Sequence, residues 1–222
     1  MPGPASRRTA LPRYQWNAGL GRFIDARSGR MVPFKDVRNA LERVMQAGRR
    51  NIRQYSEALV NGDITLAQWQ RGMAAEIKTL HVTAALSAKG GYQAMAPRDW
   101  ALAEREIERQ MRYLSRFKDD IRSGDQELDG RLVTRADLYG QAPRGTFEEL
   151  KRATAEVKAY NAERRVLGVA DHCATCLVEA GKGWQPLGTL RRIGDSECVT
   201  NCHCEFVFKY DPRDAAETAY GI

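Results

Sequence analysis

Five cysteines are the residues of this chain whose type and spacing point most clearly to chemistry. Cys173 and Cys176 form a C-x2-C pair, and after 21 intervening residues come Cys198, Cys202 and Cys204. The first 172 residues contain no cysteine. Groups of thiolates that are separated by a loop are a common ligand set of tetrahedral zinc. The spacing therefore predicts a Zn2+ site formed by this segment.

Three other kinds of cysteine chemistry fit the sequence less well. A disulfide scaffold would place cysteines along the whole of a secreted chain. A thioredoxin-like motif at Cys173–Cys176 would follow a strand and would have no further thiols clustered with it. A zinc deaminase would need an H-x-E segment before a P-C-x-x-C, but the chain has no P-C-x-x-C and no H-x-E ahead of its C-x2-C pair. Because a catalytic zinc usually keeps an open position, the larger donor set predicts a closed structural site, with disulfides or unliganded thiols as the alternatives.

The donor set contains more cysteines than one tetrahedral ion needs. Cys173, Cys176 and Cys202 are the expected ligands, with Cys198 as the fourth. In the strand expected to follow, side chains alternate between two faces, so Cys204 shares a face with Cys202. Cys204 therefore competes for the metal or is a small buried core residue.

The three histidines are expected to lie outside the ligand set. His172 and His203 adjoin the cysteines, and for both we expect a position in solvent or in support of a ligand. His81 lies at the edge of a helical apolar stripe and is expected on the surface of a bundle. A Gly-rich phosphate loop, H-E-x-x-H and G-x-S-x-G are absent. The sequence therefore predicts a protein that is not an enzyme.

Positive charge is concentrated towards the N-terminus. The net charge is +7, and residues 1–60 contain twelve Lys or Arg against four Asp or Glu, whereas residues 61–222 hold 23 against 24. A basic arm of this kind could bind nucleic acid or an acidic protein surface, and a solvated arm is the alternative. Further along the chain, three glutamates are expected to form a solvated helix face: Glu104, Glu106 and Glu108.

Export and membrane insertion are not predicted. No apolar run approaches the roughly 20 residues of a membrane span. The N-terminal residues lack the apolar core of a secretory signal. Cysteines that are clustered like metal ligands, with none elsewhere, are typical of a protein made in a reducing cytoplasm.

Helical periodicity dominates the middle of the chain. Apolar residues recur at intervals of three and four, which predicts long amphipathic helices over residues 34–61, 66–88 and 97–123. Short connections between such helices favour an antiparallel bundle. Two further helices are expected over residues 127–140 and 146–165. The fold class is therefore mainly α.

Start and stop signals delimit these helices. Thr65 is the expected N-cap of the second helix, and Gly90 with Gly91 is expected to end it. Pro97 suits the first turn of the third helix. Each signal depends on local backbone chemistry, so it can be recognised without knowledge of the packing.

The segment before the first helix reads as an extended basic arm. Residues 1–13 are rich in Pro, Gly, Ala and Arg and are expected to be extended. Short apolar pieces separated by turn signals then predict a β-hairpin or meander, with Trp16 and Phe23 as anchors on another subunit or on the chain's own helices. The chain thus divides into an N-terminal arm, a helical domain, a small zinc-ribbon-like module and a tail: residues 1–33, 34–167, 168–210 and 211–222.

The C-terminal sequence RRVLGVADHCATCLVEAGKGWQPLGTLRRIGDSECVTNCHCEFVFKY resembles the same region of tailed-bacteriophage minor head and head-morphogenesis proteins. There, a C-x2-C is followed by a Gly- and Trp-bearing stretch and an N-C-x-C ending. The N-terminal YQWNAGLGRFIDARSGRMVPF is similar to an arm of phage structural proteins. Mu-type minor head proteins carry a His-Pro before the last C-x-C, where this chain has Cys198–Asn201. The resemblance therefore supports Cys198 as the exchangeable ligand.

The resemblance implies a structural component of a tailed-phage virion, at the minor head, neck or portal. Capsid, portal or neck subunits would be its partners, many copies would be present per virion, and synthesis would occur in the host bacterial cytoplasm. The alternative is a DNA-binding zinc module that acts in head assembly or packaging, with packaged DNA contacted by the basic arm. Against it, residues 171–210 carry four Lys or Arg and five Asp or Glu, so the zinc segment is nearly neutral.

Overall fold

The computed structural model describes residues 13–17, 19–20 and 22–212. The extended segment expected before residue 13 and the tail expected after residue 212 lie outside the described residues. The chain forms two compact units, Met1–Gly140 and Gln141–Ile222. It is mainly helical and contains small antiparallel sheets, which confirms the predicted fold class at that level.

The described part of the first unit contains three long α-helices and one short one. They are α1 (Phe34–Val60), α2 (Leu66–Lys89), α3 (Pro97–Ser123) and α4 (Gly130–Asp137), and a 3-10 turn, Leu138–Gly140, follows. The helix α2 packs against both α1 and α3, while α4 packs on α1. The predicted bounds of α1, α2 and α3 are confirmed to within one residue. Among the described residues, no helix is long and apolar enough to cross a membrane.

The core of this unit lies where α2 meets its neighbours. Trp69 is fully buried, and its ring meets Phe117 edge-on at 5.2 Å. The indole N–H of Trp69 donates to Ser56 Oγ at 3.2 Å, so its polar atom is satisfied. Close approach of α1 to α2 depends on Gly48, because a Cβ there would lie 2.6 Å from a methyl carbon of Leu80.

The two ends of α2 follow the predicted signals. Thr65 Oγ1 accepts from the Gln68 N–H at 3.2 Å, and Gln68 Oε1 accepts from the Thr65 N–H at 2.8 Å, which completes a capping box. Gly90 ends the helix with φ 87°, in the left-handed region. A Cβ at Gly90 would also lie 2.3 Å from the nitrogen of Trp16. Glycine is therefore required there for the turn and for the contact.

A three-stranded antiparallel sheet packs on the start of this helical unit. Its strands are β1 (Tyr14–Asn17), β2 (Arg22–Asp25) and β3 (Met31–Val32), in that order. Trp16 and Phe23 meet edge-on at 5.3 Å, and Phe23 lies 5.6 Å from Phe34. The Trp16 N–H donates to the Gly90 carbonyl at 3.0 Å. Of the two surfaces expected for these anchors, the structure shows them on the chain's own helices.

Two polar residues expected on the surface are buried instead. His81 is 0% exposed, and Glu106 is 5% exposed and paired with Arg109 at 2.6 Å. For His81 the predicted exposure was wrong because α2 contacts helices on two sides, so a wider stripe of its surface is covered than one apolar row indicates. Glu106 lies on α3, where Arg109 of the next turn satisfies its buried carboxylate. Burial, with a smaller effect of Arg109, lowers the pKa of His81 from 6.5 to about 3.

This burial predicts a pH-dependent stability of the first unit. Between pH 6.5 and about 3 the unfolded chain protonates His81 and the folded chain does not, so stability falls as the pH drops through that range. The full loss is about 5 kcal/mol. Urea unfolding can be measured at pH 7 and at pH 4, with hydrogen exchange of the α2 amides as the readout. The free energy of unfolding should fall between the two pH values in the wild type and should fall much less in His81→Leu. If the free energy of unfolding changed equally with pH in the two proteins, His81 would not be the source of the pH dependence.

The described part of the second unit combines two helices, a small sheet and the cysteine segment. Its elements are α5 (Pro143–Val157), β4 (Ala162–Val166), α6 (Ala174–Gly181), β5 (Gln185–Pro186) and β6 (Glu205–Lys209). The sheet has the order β5-β4-β6, and both pairings are antiparallel. The helix α5 packs on β6.

The predicted helix over residues 146–165 was wrong in its second half. The helix ends at Val157, the chain turns at Ala159 with φ 58°, and Ala162–Val166 is a strand. The sequence of this strand favours a helix by composition, and its burial rests on polar side chains whose partners are distant in the chain. The compact units divide after Gly140, whereas the predicted boundary at residues 167/168 remains a prediction.

Candidate metal centre

Three local structures bring the cysteines together. Cys173 is the N-cap of α6, and Cys176 lies in its first turn. Cys198 precedes a short 3-10 turn, Val199–Asn201, and Cys202 follows it. Cys204 comes directly before β6. A helix start, a tight turn and a strand start therefore converge, as expected of a site formed by two cysteine-bearing turns.

The sulfur atoms lie at distances that suit metal binding. Cys176 Sγ lies 3.5 Å from Cys198 Sγ and 3.6 Å from Cys202 Sγ. Adjacent sulfurs around a tetrahedral zinc are about 3.8 Å apart, given Zn–S bonds of about 2.3 Å. A disulfide needs about 2.05 Å, and all five cysteines are free thiols. The cysteine cluster could hold a metal ion.

The cluster forms two overlapping groups of three sulfurs. One contains Cys173, Cys176 and Cys198, and the other contains Cys176, Cys202 and Cys204. Within each group every sulfur lies within 4.8 Å of the others. Cys176 belongs to both groups and is fully buried. Which of these cysteines bind the ion remains the prediction made from their spacing.

The cysteines form part of the core of the second unit. Cys202 and Cys204 are each 2% exposed, and they pack with Leu190, Ile193 and Phe206. Cys173 and Cys198 lie at the edge of this core and are partly exposed. A bound ion would therefore cross-link the middle of a small core and would not be confined to a surface loop.

Burial and contacts between the thiols raise the pKa of some of these cysteines and lower the pKa of others. A hydrogen bond with Cys204 lowers the pKa of Cys202 to about 4. The same contact, together with burial, raises the pKa of Cys204. Burial also raises the pKa of Cys176 and Cys198. A coordinated thiol is deprotonated outright, so metal binding at this cluster would release protons and weaken in acid.

Arg165 of β4 is a site residue that spacing alone did not reveal. Its side chain is buried at 2% exposure, and Nη1 donates to Cys176 Sγ at 3.6 Å and to Ser196 Oγ at 3.0 Å. Nη2 donates to the carbonyls of Arg191 and, at 3.2 Å, Arg192. Arg165 pairs with no carboxylate in the described part of the chain. The guanidinium therefore holds the loop before Cys198 and places a positive charge beside a shared sulfur.

His172 is held in a definite orientation beside the cluster. Its Nε2 lies 2.8 Å from the carbonyl oxygen of Gly168, and its Nδ1 lies 3.9 Å from Cys204 Sγ. Since a carbonyl only accepts, Nε2 carries the hydrogen. His172 therefore faces the cysteines, with Nδ1 nearest to Cys204.

Buried carboxylates hold the loops that carry the cysteines. Glu163 accepts two hydrogen bonds from Arg152, at 2.8 and 3.0 Å, and one from the Leu190 N–H at 2.9 Å. Glu179 accepts from the Arg191 N–H at 3.1 Å. These contacts fix the chain between α6 and Cys198. Sequence could not locate them, because each joins residues far apart in the chain.

Arg165→Met is expected to weaken metal binding without abolishing it. Removal of a group that supports metal ligands typically costs about 10- to 100-fold in affinity. Arg165→Lys, which keeps the charge, should recover part of the loss, and Arg164→Met on the adjacent, exposed position of β4 should change little. Competition against a chromophoric zinc chelator measures all three. An affinity in Arg165→Met equal to the wild type would contradict a role at the metal.

These features define the class of the molecule: a mainly helical protein with small antiparallel sheets and a cysteine cluster that could hold a metal ion. Comparison with protein-family models, with curated proteins and with solved structures found no match. The function of this chain must therefore be inferred from its residues and from their arrangement.

Proposed function

We propose that this chain is a non-enzymatic structural protein of a tailed-phage head, in the minor head, neck or portal region, stabilised by zinc at its cysteine cluster. The observation that carries the proposal is the convergence of five thiols in the core of the second unit. The resemblance of residues 164–210 to phage minor head proteins supplies the biological setting. Capsid, portal or neck subunits are its partners, and many copies enter each virion.

Zinc is the metal that best suits this donor set. Thiolates favour zinc, copper(I) and iron–sulfur clusters, and tetrahedral zinc is the usual ion of structural cysteine sites. The second unit has a small apolar core, and small modules commonly need a metal or another cross-link. Zinc coordination can contribute about 10–16 kcal/mol to the folding of such a unit. Residues 168–210 act in this proposal as a zinc-ribbon-like module.

The N-terminal arm supplies contact with neighbouring subunits in this proposal. Its hairpin strands pack on the chain's own helices through Trp16 and Phe23. The basic residues that precede them would reach acidic surfaces of other head proteins. Electron microscopy of particles assembled with an epitope-tagged chain tests the proposal directly. Label at the head or neck is expected, and tagged protein that stays outside purified particles would contradict it.

A DNA-binding role in head assembly or packaging is the second candidate. The observation that favours it is the basic N-terminal quarter, where Arg43 and Arg50 of α1 are exposed. Phosphate contacts would give binding that weakens steeply with salt. A titration of a DNA duplex at several salt concentrations, with Arg43→Gln/Arg50→Gln as the comparison, distinguishes the roles. Absence of binding at low salt would exclude this candidate.

A further inference from the structure

The sulfur geometry departs from a single tetrahedron. Four thiolates around one zinc would all lie about 3.8 Å apart. Here no four sulfurs of the described chain lie within 4.8 Å of one another; two groups of three are joined at Cys176. We propose that the cluster binds two zinc ions that share thiolates, with His172 as a ligand of the second ion. This inference rests on the proposed zinc and replaces the single ion expected from spacing.

The number of donors matches two ions. Two tetrahedral ions that share two thiolates need six donors, and this segment offers five cysteines and His172. Cys176 and Cys202, whose sulfurs are 3.6 Å apart, form the shared edge. The first ion adds Cys173 and Cys198. The second adds Cys204 and His172. Cys202 lies outside the group of three sulfurs at the first ion, so it completes that ion by moving towards Cys173 and Cys198 when the metal binds.

The tautomer of His172 makes it a ready ligand. Its Nε2–H donates to the Gly168 carbonyl, so the lone pair of the neutral ring is on Nδ1. Nδ1 lies 3.9 Å from Cys204 Sγ, close to the separation of about 3.6 Å for nitrogen and sulfur on one tetrahedral zinc. His172 lies outside the 4.8 Å group that Cys204 forms with Cys176 and Cys202, so the ring moves towards those two sulfurs when the second ion binds. Metal-bound histidines commonly donate their other N–H to a carbonyl in this way.

Charge balance also favours two ions. One zinc with four thiolates carries a net charge of −2, and one buried guanidinium, Arg165, lies against the shared sulfur. Two zinc ions with five thiolates and a neutral histidine carry −1, which lies closer to the single positive charge of Arg165, a charge that also acts on Glu179. Because burial of uncompensated charge is costly, the arrangement with the smaller net charge is the better fit to a site whose central sulfurs are buried.

Zinc content measured by native mass spectrometry tests the proposal. The wild type is expected to hold two zinc ions per chain, and His172→Ala one. His203→Ala, which changes the other histidine of the segment, should keep two. A wild type with one ion would overturn the shared site and leave the proposed structural zinc intact, whereas a metal-free wild type would overturn both. Two ions in His172→Ala would remove His172 from the ligand set.

Cadmium substitution gives a second readout that needs no variant. The wild-type protein loaded with 113Cd is expected to give two cadmium resonances of equal intensity, because one ion has four sulfur ligands and the other has three sulfurs and a nitrogen. A coupling between them would report the shared sulfurs. A single resonance at saturation would contradict the two-ion site.

Discussion

Cys176→Ser is expected to abolish metal binding and to unfold the unit Gln141–Ile222, while Met1–Gly140 stays folded. Cys176 is the one cysteine common to both sulfur groups, and it is fully buried. Its loss removes a ligand from either group and places a hydroxyl in an apolar core. Zinc coordination contributes about 10–16 kcal/mol to the folding of small modules. This exceeds the net free energy of unfolding expected for a unit of this size, so the unit should unfold when the metal is lost.

Unfolding is expected in the second unit and not in the first, and this difference separates loss of the metal site from general destabilisation. The first unit contains no cysteine and has a core of its own around Trp69 and Phe117. Hydrogen exchange with mass spectrometry should therefore show fast exchange in β4 and β6, with protection retained in α2. Leu177→Ser, at the next and exposed position of α6, is the matched control and should keep both metal and protection. Full metal content in Cys176→Ser would contradict the account.

Glu163→Gln is expected to destabilise the second unit by about 3 kcal/mol, at the low end of the range for a broken buried ion pair. Glu163 is 0% exposed and accepts hydrogen bonds from Arg152 and from the Leu190 N–H. The substitution leaves the Arg152 guanidinium without its bidentate partner. Glu149, 3.5 Å from Arg152, compensates for part of the charge.

An exposed ion pair in the same chain provides the comparison. Arg131 and Glu127 lie 2.5 Å apart, with 76% and 70% of their side chains exposed. Glu127→Gln should therefore cost roughly 0–1 kcal/mol. Chemical denaturation of the zinc-loaded proteins, followed separately in each unit by pulsed hydrogen exchange, measures both effects. Similar small losses for the two variants would show that Glu163 does not hold β4 to the loop at Leu190.

The helices of the first unit were predictable because their information is local. Apolar residues recur at helical spacing through α1, α2 and α3, and the ends of α2 are marked by Thr65 and Gly90. The burial of His81 was not predictable from the same pattern. It depends on α2 being covered by other helices on two sides. This is a property of the packing, and the spacing of apolar residues along α2 does not reveal it.

The second unit shows where sequence reasoning fails. Ala162–Val166 has the sequence AERRV, which favours a helix by composition, yet it is the central strand of a sheet. Its Glu163 and Arg165 are buried because residues far along the chain satisfy them. The cysteine cluster itself was predictable, because the spacing of the cysteines and the turns between them are visible in the sequence. The grouping of its sulfurs was not, because it depends on the path of the loops between them.

X-ray absorption at the zinc edge tests most directly whether the cysteine cluster is a metal site that organises the second unit. Protein purified without added chelator should show a first coordination shell dominated by sulfur at about 2.3 Å. Cys176→Ser should lose this signal. A wild-type spectrum with only oxygen or nitrogen neighbours, or protein free of metal with five reactive thiols, would contradict the central claim.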